Sequence, residues 1–296
     1  MVFLGDFDKM KKAYKASSKI MEKRMEKERP ADLEILKKVS ESSIIITQGS
    51  YDRVETVLDL IKVPYVLIST DQVKDIDLSP DQILIINCPG YVDEEGLGKI
   101  KDFVKRGGFL FTTDWSLLNV LEKIFPEFVK YNQRPTGDDC VAVEVVDKSN
   151  KFLEGLFQAD ADPIWWLEGS SYPIQIIDKK KVKVLVTSRE MREKYGEAPI
   201  VITFDYGDGG MVLHMTSHYY LQRAELRTAR HQKSAKEYVM GEMEFSSEEA
   251  DMKELEDVSL GEAESAYSTT QFISNVIVEQ QKKVAKRKKK KKQEGK

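Results

Sequence analysis

Between residues 44 and 126 the chain alternates short, continuous apolar runs with segments of mixed polarity. This alternation constrains the fold more than any other feature of the sequence. The runs are Ile44-Ile45-Ile46, Tyr65-Val66-Leu67-Ile68, Ile83-Leu84-Ile85-Ile86 and Phe109-Leu110-Phe111. A strand with one wet face alternates apolar and polar residues. A strand that is apolar throughout is buried on both faces, as happens where helices cover a parallel sheet from either side. Val54 to Ile61, Leu97 to Lys105 and Ser116 to Ile124 are the expected helices, with Gly107-Gly108 and Pro126 as stops. The expected class is α/β, a mostly parallel sheet with helices on both faces.

The second half is less regular. Val141–Val146, Val182–Val186, Ile200–Phe204 and Met211–Met215 read as strands, the last two joined by the tight turn Tyr206-Gly207-Asp208-Gly209-Gly210. Charge helps to divide the rest. The formal net charge of −4 conceals a segregation: residues 282–296 carry ten Lys/Arg against one Glu, and residues 237–264 carry eleven Asp/Glu against one Lys. A uniformly basic nucleic-acid binder is excluded, and no stretch approaches the ~18–20 apolar residues of a membrane span.

The expected organisation is a helical N-terminal extension over 1–40, an α/β domain over 41–221 and an acidic, partly disordered insertion over 222–268. A final helix over 269–283 and a basic disordered tail over 284–296 complete it. In the extension, Met10, Tyr14, Ser17, Met21 and Met25 fall at helical spacing, a stripe suited to docking on the core or on a partner.

Two cysteines, Cys88 and Cys140, show no metal-binding spacing, and residues 1–12 lack the apolar region of a signal peptide. A cytoplasmic protein with reduced thiols is expected, with no metal and no cofactor.

In open α/β sheets, ligands sit at the carboxyl ends of the strands. Three segments end there: Gln48-Gly49-Ser50, Asn87-Cys88-Pro89-Gly90 and Thr112-Thr113-Asp114-Trp115. The run from Ile44 to Pro126 resembles the class I glutamine amidotransferase-like superfamily, which implies a flavodoxin-like fold. Asn87-Cys88-Pro89-Gly90 resembles that family's oxyanion loop, so Asn87, Cys88 and Gly90 are candidate ligand contacts. The family's catalytic Cys stands on a Gly-x-Cys-x-Gly elbow, where this chain has Thr113-Asp114-Trp115-Ser116. Its His-Pro-Glu would fall near His218, which is followed here by Tyr219 and Tyr220. The catalytic Cys-His-Glu set is thus incomplete, and glutaminase chemistry is not expected. The segment from Tyr206 to His218 is similar to the ThuA-like branch, with a Gly-rich turn, a strand and a His near its end.

Asp114 precedes a helix, which suits either an N-cap or a general base at the cleft. His214 and His218 alternate in phase on one strand, but without the Glu of a His-Glu-x-x-His zinc motif. Trp165 and Trp166 lie beside Glu168, either as a pocket wall with Trp115 or as a plug on the sheet. Three functions follow as expectations. The first is a non-catalytic binding or scaffold module with protein partners, resting on the missing elbow and the charged appendages. The second is a hydrolase using Asp114 with His218 or His214, with Glu168 converging on the same cleft. The third is weak anionic contact, with nucleic acid or a membrane surface, through Lys286–Lys292.

Overall fold

The structure, a computed structural model, describes residues 4–156, 163–218, 231–236, 255 and 257–294. The four apolar runs form β1 (Ile44–Thr47), β2 (Val66–Ile68), β3 (Ile83–Ile86) and β4 (Phe109–Thr113). Preceding them are helices α1 (Leu4–Glu28) and α2 (Pro30–Lys37), and between them lie α3 (Val54–Leu60) and α4 (Glu94–Lys105). After β4 the chain makes a π-helical stretch over Leu117–Leu121 and one turn of α-helix, α5 (Glu122–Ile124).

Next come β5 (Val129–Tyr131), β6 (Asp139–Ala142), β7 (Glu144–Val145), β8 (Ile164–Leu167), β9 (Ile174–Ile176) and β10 (Lys183–Thr187). Helix α6 (Arg189–Tyr195) leads to the hairpin of β11 (Pro199–Tyr206) and β12 (Gly210–Met215). The last helix, α7, spans Leu260–Glu294.

One eight-stranded sheet runs in the order β2-β1-β3-β4-β12-β11-β10-β7. It is parallel from β2 to β12 and antiparallel beyond, so the class read from the apolar runs is the class observed. One face packs on α1, α3 and α7 through residues such as Tyr14, Met21, Val57, Ile273 and Ile277. The other packs on α4 and the π-helical stretch through Ile100, Phe103, Leu117 and Val120. Both faces of β3 and β4 are therefore sealed, which is why β3 is apolar throughout and β4 begins Phe109-Leu110-Phe111.

The stripe of α1 faces this core. Met10, Tyr14, Ser17, Met21 and Met25 are all buried, and the Ser17 hydroxyl donates to the Ala263 carbonyl of α7 at 3.2 Å. The N-terminal helix is a layer of the fold rather than an appendage to it.

Helix α7 overruns its expected limits at both ends. At its start Ser259 and Glu262 cap each other: the Ser259 backbone N–H donates to Glu262 Oε2 at 2.7 Å, and the Glu262 N–H donates to Ser259 Oγ at 3.3 Å. Ala263 and Ala266 are buried, so residues 260–268 belong to the helix and not to an acidic insertion. At the other end Lys282 pairs with Asp32 at 2.7 Å. Arg287 donates to the Gly107 carbonyl at 2.8 Å and to Asp81 at 2.8 Å. These contacts hold the beginning of the basic stretch against the body, and residues 284–294 are helical, contrary to the disordered tail expected there. The expectation for residues 222–230, 237–254 and 256 falls outside the described residues.

Strands β5, β8 and β9 and helix α6 have no clear sequence pattern, and the strand expected over Val141–Val146 is divided between β6 and β7. Strands β5 and β9 pair as one two-stranded sheet, and β6 and β8 as another. Helix α6 starts where the Met191 N–H donates to Ser188 Oγ at 3.1 Å. Among the described residues, no helix is long and apolar enough to cross a membrane.

Candidate functional site

The loops leaving β3, β4 and β12 meet at the carboxyl edge of the parallel strands. The crevice between β1 and β3 is closed by backbone: Ser50 N–H donates to the Cys88 carbonyl at 3.0 Å. A Cβ added at Gly49 would lie 2.6 Å from Asn87 Cβ, so only glycine permits this approach.

Asp114 directly follows β4 and turns the chain sharply into the next helical stretch. Its φ is +41°, its N–H donates to the Met215 carbonyl at 2.9 Å, and its own carbonyl accepts from Leu117 N–H at 2.9 Å. The sequence, lacking the flanking glycines, was not expected to make this elbow. It makes it by placing a non-glycine residue in the left-handed region. Ser170 and Ser217 also have left-handed backbones, with φ of 74° and 70°. Such a residue costs on the order of 1–3 kcal/mol, and such costs concentrate at functional sites.

The side chains carried by this backbone converge. Asp114 is buried, and its Oδ1 accepts from the Tyr172 N–H at 2.8 Å while Oδ2 accepts from the Ser171 hydroxyl at 3.2 Å. Both donors come from the loop after β8, which replaces the N-cap alternative: the carboxylate is held by another loop. His218 follows β12 instead of lying on it. Its Nε2 is 3.5 Å from Asp114 Oδ2, and its Nδ1 hydrogen-bonds Glu168 Oε2. Glu168, Asp114 and His218 are thus brought together in one cluster. The thiol of Cys88 joins them: the donor atoms of Cys88, Asp114 and His218 all lie within 4.8 Å of one another.

Burial sets the electrostatics. It pushes the Asp114 carboxyl up to about 6, against the opposing charge of His218 and the hydrogen bonds from Tyr172, Ser171 and Ser217. For His218 burial works in the other direction and disfavours the cation. It is outweighed by Cys88, Glu168, Asp52 and Asp114, so the imidazole is held well above its ordinary value. The Cys88 thiol is pushed up by burial, which keeps it protonated at neutral pH.

The remaining candidates are placed elsewhere. His214 lies on β12, fully buried, with Nδ1 2.8 Å from Thr112 Oγ1 and its pKa lowered by burial to about 3. Burial keeps its ring neutral on the strand, four residues before His218. Asn87 donates to Glu55 Oε2 at 3.0 Å, and Gly90, with φ of +71°, lets the loop pass against Ser116. The Trp165 indole N–H donates to the Thr216 carbonyl at 2.9 Å, which supports the loop that carries His218. The Trp166 indole N–H donates to Asp138 at 2.6 Å, away from the cleft residues. Trp115 stacks on Tyr172 with centroids 5.5 Å apart and meets the exposed Tyr51 edge-on at 5.2 Å, forming an aromatic rim.

Sequence reasoning missed Ser171, Tyr172, Ser217 and Asp52. Ser171 and Tyr172 stand in the same stretch as Trp165, Trp166 and Glu168, but a backbone N–H aimed at a carboxylate leaves no mark in a sequence. It also expected no metal site, because no local spacing suggests one. Folding nonetheless brings one sulfur, one nitrogen and one oxygen donor together from three loops.

No family model matches the chain, and no curated protein matches it. Solved structures do. A protein described as ThuA-like from Bacteroides uniformis matches over 60% of this chain and 82% of its own, at 13% identity and a TM-score of 0.43. An exo-β-1,4-mannosidase from an Opitutaceae bacterium matches over 61% of this chain and 32% of its own, at 9% identity and a TM-score of 0.41. A β-galactosidase from Rahnella sp. R3 matches over 60% of this chain and 29% of its own, at 14% identity and a TM-score of 0.41. The chain therefore spans less than a third of the length of either glycosidase. At these identities and TM-scores, neither the chemistry nor the substrates of those proteins transfer to it.

Proposed function

We propose that the protein is a hydrolase whose reacting groups are Asp114 and His218, with Glu168 positioning the imidazole. One observation carries this reading: a buried imidazole sits between two carboxylates at the carboxyl edge of a parallel sheet, 3.5 Å from a carboxylate presented on a left-handed elbow. A base, a partner 3.5 Å from it that one water can bridge and a third group orienting that partner form the arrangement that proton-transfer catalysis requires.

In this reading Asp114 takes a proton from the attacking water, and His218 gives its Nε2 proton to the leaving group. The proton then returns from Asp114 to His218, which restores the starting state. Glu168 keeps Nε2 directed inward by occupying Nδ1. Tyr172 and Ser171 hold the Asp114 carboxylate in place, and the rim of Trp115, Tyr172 and Tyr51 suits a substrate with a flat or ring-shaped face.

The charged segments that favoured a scaffold are in part used within the chain, since Lys282, Arg287 and Lys288 pair with Asp32 and Asp81. That weakens the motive for the scaffold reading and leaves the cleft as the better guide. The test is a panel of chromogenic esters, phosphates and glycosides assayed with the full chain. Turnover by the wild type, reduced by about 10²–10⁴-fold in Asp114→Asn and in His218→Gln, is expected. Turnover that survives both substitutions in folded variants contradicts the assignment.

A further inference from the structure

The cleft holds a group the acid–base reading does not use. Cys88 is buried, and its sulfur lies within 4.8 Å of both an Asp114 oxygen and a His218 nitrogen. The inward nitrogen of His218, Nε2, is buried and has no well-aligned hydrogen bond among the described residues, only the neighbouring Cys88 thiol and Asp114 carboxylate. It faces Asp114 Oδ2 at 3.5 Å, beyond the range of a good N–H···O bond. Two donors bound tetrahedrally to one zinc ion, each at ~2.0–2.1 Å, lie roughly 3.3–3.4 Å apart. The outer nitrogen, Nδ1, is bonded to Glu168, and a ligating histidine characteristically gives its second ring nitrogen to a carboxylate.

We propose that Cys88 Sγ, Asp114 Oδ2 and His218 Nε2 bind one divalent cation of the zinc type, with Glu168 orienting the imidazole from behind. A sulfur, a nitrogen and an oxygen donor together suit a borderline cation. Magnesium and calcium demand oxygen ligands throughout. Binding displaces the thiol proton and any proton on Nε2 to solvent. Thiolate and carboxylate then balance the two charges of the cation, so the buried site is neutral. Three protein ligands leave a fourth position for water or a substrate atom. Metal occupancy is measured independently of turnover, and either proposal can fail alone. A loaded site ties up both Asp114 and Nε2, so the proton exchange proposed above belongs to the metal-free protein.

The experiment is titration of the metal-free full chain with Co²⁺, followed by absorbance, with Zn²⁺ as competitor. One equivalent is expected to bind, with a thiolate-to-cobalt band in the near ultraviolet and intense tetrahedral ligand-field bands, all removed by Zn²⁺. Cys88→Ser should abolish the near-ultraviolet band and Cys140→Ser should leave it unchanged. Glu168→Gln should weaken binding by ~10–100-fold. A band that persists in Cys88→Ser, or no saturable binding to the wild type, overturns the proposal. Should Cys88→Ser fail to fold, X-ray absorption of the zinc-loaded wild type decides. One sulfur near ~2.3 Å with nitrogen and oxygen near ~2.0 Å supports the site, and nitrogen and oxygen alone refute it.

Discussion

Asp114 shows how a residue's role is decided by what reaches it. The types Asp114, His218 and Glu168 are legible in the sequence as candidates, because each stands at or beside the end of an apolar strand. Their union is not legible, since it depends on Ser171 and Tyr172 crossing from another loop and on His218 lying three residues past β12. His214 makes the opposite point. The same residue type, four positions earlier, is locked neutral on the strand with its pKa lowered to about 3. The unfolded chain therefore binds a proton near pH 6.5 that the folded chain refuses, so this residue's share of stability is complete above that pH and is lost on acidification. Between pH 7.5 and pH 5 the loss amounts to about 2 kcal/mol. Urea unfolding at both pH values should show the wild type losing that much more than His214→Gln. Equal pH dependence in the two proteins would show that His214 is not held neutral.

At the scale of elements, the most legible strands are the continuous apolar runs, buried in β1, β3 and β4 and exposed at Val66 and Leu67 in the edge strand β2. Their apolar runs leave little choice of conformation, and β1, β3 and β4 form where Ile44, Ile83 and Phe109 begin them. Strands β5 and β9 escaped because each is three residues with a polar one at its centre, and β8 because its apolar run Ile164–Leu167 stands outside the strand–helix alternation. Helix α7 escaped at its ends for a different reason: its charge composition resembles a solvated segment, while its start is set by the local pairing of Ser259 with Glu262. That cap is a separable contribution. Ser259→Ala is expected to destabilise the protein by about 1 kcal/mol, seen as a lower urea midpoint at an unchanged slope. An unchanged midpoint would mean that packing of Ala263 and Ala266 alone sets the start of α7.

For the whole molecule, the N- and C-terminal helices that look like additions in sequence form a layer on one face of the sheet, and the cluster of Cys88, Asp114 and His218 lies at the carboxyl edge of the parallel strands. Net charge says little about such a molecule, because its basic stretch is partly paired with its own acidic residues. The arrangement of β3, β4 and β12 matters more, since each contributes one arm of a single buried cluster. The account rests on Asp114 and His218 acting as one unit, and a double-mutant cycle on turnover tests that most directly. If they exchange a proton within one step, Asp114→Asn combined with His218→Gln should lower kcat no further than the worse single substitution. Losses that multiply, each residue contributing in full in the absence of the other, would contradict it.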